Sequence, residues 1–325
     1  MKKSFLALLM VSLCMLLMAC GSEKKEKVLI YSSAEDYRIE YLNKCLKEKF
    51  PQYEIVIEYM STGNNAAKLM AEGNKTECDI INSLEYGYLE QLSKAGILED
   101  LKKYDFNRYT NDVVLNKDYI AELRNGGAII VNTKVLNEKG LSKPESYDDL
   151  LKTEYKGLIS MPNPKASGTG YMFVKSLVNT WGEAEAFRYF DKLTPNILQY
   201  TSSGSGPVNA LANNEVCIGM GMTAQAVTQI NKNVPLEIIY FKEGSPYSLY
   251  GNAMIKGKSS KECVKKVFDF IVDEYNYDMN AKFFPEKIYK EQDFVVKNYP
   301  TNINYANMQN NSINEKIRLL DKWKY

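Results

Sequence analysis

The sequence predicts an α/β protein folded as two lobes, with a ligand cleft between them. Three observations carry this. Short apolar runs alternate with stretches of helical periodicity along most of the chain. The roughly 300 residues that follow Cys20 exceed one ordinary hydrophobic core. Four of the strand-to-helix turns are built from Ser, Thr and Gly.

The first twenty residues stand apart. Lys2 and Lys3 precede an apolar run from Phe5 to Met18, which closes on Leu17-Met18-Ala19-Cys20 before a polar Gly21-Ser22-Glu23-Lys24. A basic start, a short apolar run and small residues at its end mark a secretory signal, too short to span a bilayer core of ~30 Å. Leu-x-Ala-Cys resembles the bacterial lipobox, with Met18 a mild departure. The expectation is a signal peptide over residues 1–20, lipid on Cys20, residues 21–27 as a solvated tether, and a lipoprotein anchored on the extracytoplasmic side of the cell membrane.

Residues 28–31 read as a strand ending in Ser32-Ser33. Tyr37, Tyr41, Leu42, Cys45, Leu46 and Phe50 then recur at helical spacing up to Pro51. Residues 54–59 alternate as a second strand, Ser61-Thr62-Gly63 leads into a helix over 65–72, and Asp79-Ile80-Ile81 is a third strand. A helix over 87–95 closes on Gly96. Gly126 to Asn132 reads as a strand entering the second lobe, followed by strand 158–161, the loop 162–168, helix 170–181, strand 197–200, loop 202–206 and helix 207–214. Residues 216–220 and 236–241 are further strands, the latter leading back to the first lobe, and 260–275 is an amphipathic helix. Lobe 1 is thus expected over 28–125 plus about 241–283, and lobe 2 over about 126–240. Residues 284–325, rich in Tyr, Asn and Lys, are expected to wrap the surface and are assigned to neither lobe.

Composition narrows the chemistry. A net charge of +1 offers no electrostatic footprint for nucleic acid. The chain has no histidine, which removes Ser-His-Asp and Cys-His nucleophile pairs, His-containing zinc sites and the commonest general base. Cys45, Cys78, Cys217 and Cys263 fit no metal-binding spacing and read as buried thiols, with disulfides left open.

The turns carry the remaining chemistry. Ser32-Ser33, Ser61-Thr62-Gly63, Ser167-Gly168-Thr169-Gly170 and Thr201-Ser202-Ser203-Gly204-Ser205-Gly206 each close a strand just before a helix. Helix N-termini present free N–H groups and a positive dipole end, so such turns suit an anion, although Ser, Thr and Gly are also ordinary helix caps. In open α/β sheets ligands sit at the carboxyl ends of strands, where all four turns lie. Neither glycine run completes a nucleotide-binding motif.

These same segments carry a family resemblance. From about Val28 to Phe270 the chain resembles the periplasmic-type solute-binding proteins of ABC importers, in the branch that holds ferric-iron, thiamine, sugar-phosphate and 2-aminoethylphosphonate binders. The residues that carry it are Val28-Leu29-Ile30-Tyr31-Ser32-Ser33, Glu77-Cys78-Asp79-Ile80, Ala95-Gly96-Ile97-Leu98, Asn163-Pro164-Lys165-Ala166-Ser167-Gly168-Thr169-Gly170, Thr201 to Pro207, and Lys242-Glu243-Gly244-Ser245-Pro246-Tyr247. The resemblance implies a type II periplasmic-binding-protein fold whose lobes close on a solute and deliver it to a membrane permease. Iron binders of the branch use adjacent tyrosines where this chain reads Met222-Thr223-Ala224-Gln225. Tyr86, Tyr88, Tyr247 and Tyr250 are the available substitutes for such a ligand set. Ser248 stands where organophosphate-binding relatives carry an acidic residue, and Glu35, Asp36 and Glu85 are candidate partners for a ligand ammonium. Asp79 reads as structural.

The resulting expectation is a monomeric solute-binding protein that captures a small anionic organophosphate or phosphonate. Its ligand-binding residues are Ser32, Ser33, Thr62, Gly63, Ser167, Gly168, Thr169, Ser203, Gly204, Ser205 and Thr223, with no catalytic group, resident metal or cofactor. A ferric-iron carrier and an extracytoplasmic enzyme acting on phosphate esters, using Lys165 or a carboxylate, are the alternatives.

Overall fold

The computed structural model describes residues 25–325; the expected signal peptide, Cys20 and residues 21–24 lie outside them. In the first lobe β1 (Lys27–Ser32) lies between β2 (Glu54–Tyr59) and β3 (Ile80–Glu85), parallel to both. The apolar runs of β1 and β3 are buried throughout, as strands covered on both faces must be, whereas edge strand β2 is half-exposed. Helices α1 (Asp36–Lys49), α2 (Thr62–Glu72) and α3 (Tyr86–Lys94) follow these strands in turn. Strand β1 starts one residue earlier than expected, because Lys27, assigned to the tether, pairs opposite Glu54 in the sheet.

The strand that enters the second lobe is longer than its apolar run. β4 (Ile120–Asn132) pairs over residues 120–126 with β9 (Tyr247–Met254), and over residues 127–132 with β7 (Ile218–Met222) and β8 (Leu236–Ile239), all antiparallel. It therefore belongs to two sheets, ordered β2-β1-β3-β9-β4 and β8-β4-β7-β5-β6, with β5 (Ile159–Pro162) parallel to β6 (Ile197–Thr201) and β7. Residues 236–241 do not lead back to the first lobe, as the apolar run suggested. Leu236–Ile239 stays in the second sheet, and β9 makes the return. Gly251 and Asn252, poor strand formers, mask β9 in the sequence. Gly251 is required there, since a Cβ would lie 2.7 Å from the Ile120 carbonyl oxygen.

A third segment crosses beside these strands. Ser245 N–H donates to the Asn304 carbonyl and Ala306 N–H to the Ser245 carbonyl, both at 2.8 Å, while Ser245 Oγ donates to the Gly127 carbonyl at 2.7 Å. The second lobe is completed by α4 (Thr133–Lys139), α5 (Gly168–Trp181), α6 (Glu183–Leu193), α7 (Gly206–Ala212) and α8 (Thr223–Asn231). The amphipathic helix expected over 260–275 is α9 (Glu262–Phe270), which widens into a π turn at Ile271–Tyr275 and continues as α10 (Asn276–Phe283).

Residues 284–325 do more than wrap the surface. Phe284, Ile288 and Tyr289 complete the core of the first lobe, and Ala306, Met308 and Trp323 that of the second. The last helix, α11 (Ile313–Lys322), leads to Trp323, whose ring packs edge-on against Phe190 at 5.2 Å and Tyr200 at 5.4 Å. Cys45, Cys78, Cys217 and Cys263 are free thiols; burial pushes Cys217 up to about 11, leaving it protonated and unreactive at neutral pH.

Trp323→Ala should cost about 3–5 kcal/mol by opening a cavity between α6 and β6. A fall of several degrees in the thermal midpoint checks this; an unchanged midpoint would mean that the C-terminal segment does not share that core.

Candidate functional site

The four Ser/Thr/Gly turns converge where the lobes meet. On the first lobe, Asn65 Nδ2 donates to Ser33 Oγ at 3.0 Å, tying the first turn of α2 to the end of β1. Ser32 lies behind them, its hydroxyl donating to Asn82 Oδ1 at 2.7 Å and accepting the Ala34 N–H at 3.2 Å. On the second lobe, Asn163 folds the loop before α5 by accepting from Lys165 N–H through its side chain and from Ser167 N–H through its carbonyl, both at 2.9 Å.

The lobes touch directly. Gly63 N–H donates to the Ala166 carbonyl at 3.1 Å across the cleft. Only glycine allows this, since a Cβ on residue 63 would lie 2.5 Å from the Lys165 carbonyl oxygen. Gly204 sits against Thr169 and Ser167, where a Cβ would be 2.5 Å and 3.2 Å from their hydroxyl oxygens. Ser203 and Ser205 share a hydrogen bond of 3.0 Å beside it. Gly168 faces the first lobe, where its Cβ would meet the Tyr250 hydroxyl at 2.6 Å. The structure therefore brings together Ser33, Thr62, Gly63, Ser167, Gly168, Thr169, Ser203, Gly204 and Ser205 around a closed cleft. Thr223 starts α8 at its edge, with its hydroxyl engaged by Tyr240 at 3.2 Å. The hydroxyls of Ser32 and Thr223 are thus committed to the protein.

Two helices open on this site without a side-chain cap: neither Ser61 before α2 nor Ser167 before α5 makes the usual capping hydrogen bond. Their first-turn N–H groups and hydroxyls face the junction as neutral donors. Gln225 Nε2 donates to the Ser205 carbonyl at 3.2 Å and to Asn209 Oδ1 at 3.0 Å, which fixes the amide and leaves Oε1 buried with no partner among the described residues. The Tyr250 phenol is held above its ordinary value by burial, then by the Glu85 and Glu35 carboxylates, so it enters the site as a neutral hydroxyl.

The charges nearby are already matched. Arg38 spans Glu35 at 2.8 Å and Glu122 at 2.7 Å. Burial works against its charge, but the Glu122 and Glu35 carboxylates hold it firmly cationic. Its second amino group donates at 2.7 Å to Ser83, a residue held at φ 57° where β3 bulges against β9. Glu85 is bound by Lys316 of α11 at 2.5 Å, and the ammonium lies 4.0 Å from the Tyr88 ring centre and 4.6 Å from that of Tyr171. Of the three carboxylates that are candidate partners for a ligand ammonium, Glu35 and Glu85 are thus engaged within the protein, while Asp36 is exposed on α1. Asp79 straps the first lobe, accepting Leu29 N–H at 2.9 Å and pairing with Lys261 at 3.0 Å.

Sequence reasoning missed Lys316, which ties α11 and Tyr171 of the second lobe to α3 of the first. The signal was present: Ile313, Lys316 and Leu319 share one helical face, and a lysine on an otherwise apolar stripe requires a buried acceptor.

Two α/β lobes joined by crossing strands, with a ligand cleft between them, define the type II periplasmic-binding-protein fold. Residues 76–316 match the family of bacterial extracellular solute-binding proteins, and the chain belongs to that family. It is an extracytoplasmic solute-binding protein of the ABC importer type, a class that binds small solutes and works with membrane permeases. An uncharacterized protein of Haemophilus influenzae is 26% identical over 270 residues, 81% of this chain and 77% of that one. The spermidine/putrescine-binding periplasmic protein of Escherichia coli is 26% identical over 200 residues, covering 57% of this chain and 56% of its own length. Among solved structures, the periplasmic binding protein AfuA from Actinobacillus pleuropneumoniae, with exogenous fructose-6-phosphate bound, superposes with a TM-score of 0.79 at 26% identity, over 92% of this chain and 98% of that one. Iron-bound HitA from Pseudomonas aeruginosa shares the fold at a TM-score of 0.71 and 17% identity, over 91% of this chain and 98% of its own. Among the described residues no helix is long and apolar enough to cross a membrane.

Lys316→Met should destabilise the closed form by about 3–5 kcal/mol, because it strands the Glu85 carboxylate in a dry site. The double variant Lys316→Met/Glu85→Gln should recover much of that loss; denaturant titration of the three proteins checks it. Gly63→Val should leave the thermal midpoint of the ligand-free protein nearly unchanged and weaken binding of a responding solute at least about tenfold by blocking lobe contact, read by calorimetric titration.

Proposed function

We propose that this protein captures a small organophosphate or phosphonate by lobe closure, seats the anionic group among Ser33, Thr62, Gly63, Ser167, Gly168, Thr169, Ser203, Gly204 and Ser205, and hands it to a membrane permease without making or breaking a bond. The observation that carries the reading is the meeting of two uncapped helix N-termini, α2 and α5, across the cleft at Gly63 and Ala166. Hydroxyls and backbone N–H groups line that junction, while the cations beside it, Arg38 and Lys316, are held by carboxylates. An oxyanion is the ligand that such an arrangement of neutral donors satisfies best. Ser32 and Thr223 act from behind, shaping the turns that present these donors.

Gln225 supports an organic ester over inorganic phosphate. Its buried Oε1 can only accept, and leaving it unmatched costs about 1–3 kcal/mol, so a ligand carrying a hydroxyl or amine as well as the anion relieves it. The fructose-6-phosphate in the AfuA structure lends weight to the same class. Closure is a population shift, in which a solute touching both lobes favours the closed arrangement. We further propose that the protein acts as a monomer tethered through lipid on Cys20.

A thermal-shift series on protein beginning after Cys20, with fructose-6-phosphate, glucose-6-phosphate, 2-aminoethylphosphonate, inorganic phosphate, thiamine, spermidine and ferric citrate, tests the reading. A solute at 100 times its dissociation constant stabilises the native state by ~2.7 kcal/mol, a rise of several degrees. The expected result is a rise with a sugar phosphate or the phosphonate and a smaller one with inorganic phosphate. A rise confined to ferric citrate, thiamine or spermidine would replace the proposed ligand.

A further inference from the structure

At the far end of α5 from the anion cradle, ~20 Å away along the helix, a groove of about 330 Å³ opens on the outer face of the second lobe. Its wall is aromatic. Tyr147, Trp181 and Tyr189 meet pairwise edge-to-face, with ring centres 5.5, 5.2 and 5.7 Å apart, and Phe241 backs Tyr147 at 5.0 Å. All three rings line the groove, and aromatic rings attract cations.

Its rim is acidic and unspent. Asp148 and Glu243 form no ion pair or side-chain hydrogen bond among the described residues, and Glu243 Oε2 is buried without a partner. Tyr147, only 3% exposed, lines the groove with a hydroxyl that makes no hydrogen bond among the described residues, while the Tyr189 hydroxyl is used on the Tyr147 carbonyl. Glu185, the third carboxylate of the lining, is neutralised by Arg188 one turn along α6. Lys242, the single cation of the lining, pairs with none of them. A buried carboxylate oxygen without a partner, beside a second unpaired carboxylate and an aromatic wall, calls for a positively charged hydrogen-bonding group.

We propose that this groove is a second binding site, separate from the cleft, for a small organic ammonium group held by the Glu243 and Asp148 carboxylates against the Trp181, Tyr147 and Tyr189 rings. Trp181 supplies the readout. The chain holds two tryptophans, so Trp323→Phe leaves Trp181 as the only one while keeping an aromatic ring in the core.

Titration of the Trp323→Phe protein with tetramethylammonium chloride and with butylammonium chloride should give a saturable change in tryptophan emission that sodium chloride at equal ionic strength does not produce. Adding Glu243→Gln and Asp148→Asn should weaken the response at least about tenfold, and these two side chains make no bond whose loss would unfold the protein. Saturating the cleft with the solute identified by thermal shift should leave the ammonium affinity unchanged. The proposal is overturned if no saturable change is seen, if the double carboxylate variant responds like its parent, or if cleft solute abolishes the response. Because the readout comes from Trp181, the titration itself needs no knowledge of the cleft ligand.

Discussion

The antiparallel pairing of β4 with β9 is the constraint on which the architecture rests. Residues 120–126 hold β9 in the first sheet, and the same strand continues as residues 127–132 into the second. Each lobe is therefore built outward from a shared strand, and the angle between the sheets is set where Gly126 passes to Gly127. The surroundings of that step are crowded: a Cβ on Gly126 would lie 2.7 Å from Glu286 Oε1, and one on Gly127 2.5 Å from Met172 Cε. The carboxyl ends of the parallel strands then face one another across the cleft, which places the small-residue turns of both lobes opposite each other without any long loop.

Around that cleft the protein separates charge from recognition. Arg38 and Lys316, buried within a turn or two of the site, are satisfied by Glu35, Glu122 and Glu85. Pairing holds both cations in place, since turning either toward a newcomer would strand a buried carboxylate, although Arg38 Nε and Glu122 Oε2 are without a partner among the described residues. The other groups at the junction are neutral and short: backbone N–H, serine and threonine hydroxyls, one phenol and one fixed amide oxygen. On the proposed reading, binding by such preset dipoles asks for little reorganisation, and the geometry of approach between the lobes governs affinity more than net charge does.

Much of this was legible in the sequence because it depends on local periodicity. The strand-turn-helix units of both lobes, the helix over 260–275 and the nine small-residue positions at the junction follow from apolar spacing and from the need for glycine where backbones meet. What was not legible depends on contacts distant in sequence. β9 is disguised by Gly251, whose reason is the Ile120 carbonyl 131 positions earlier. Residues 236–241 have the composition of a strand, but nothing in that composition says which sheet they join. The stripe of Ile313, Lys316 and Leu319 asks for a buried acceptor, but nothing local names Glu85, 231 positions away, as that acceptor. The hydroxyls of Ser32 and Thr223 were indistinguishable from their neighbours until Asn82 and Tyr240 were seen to occupy them.

The C-terminal segment couples the stability of the two lobes. Phe284, Ile288 and Tyr289 finish one core, Ala306, Met308 and Trp323 finish the other, and residues 304–306 run beside the crossing strands. A nascent chain that has emerged only as far as residue 283 thus lacks part of both hydrophobic cores, and neither lobe can reach its final packing. One segment therefore closes two cores, so a change that loosens residues 284–325 loosens both lobes together and not one alone.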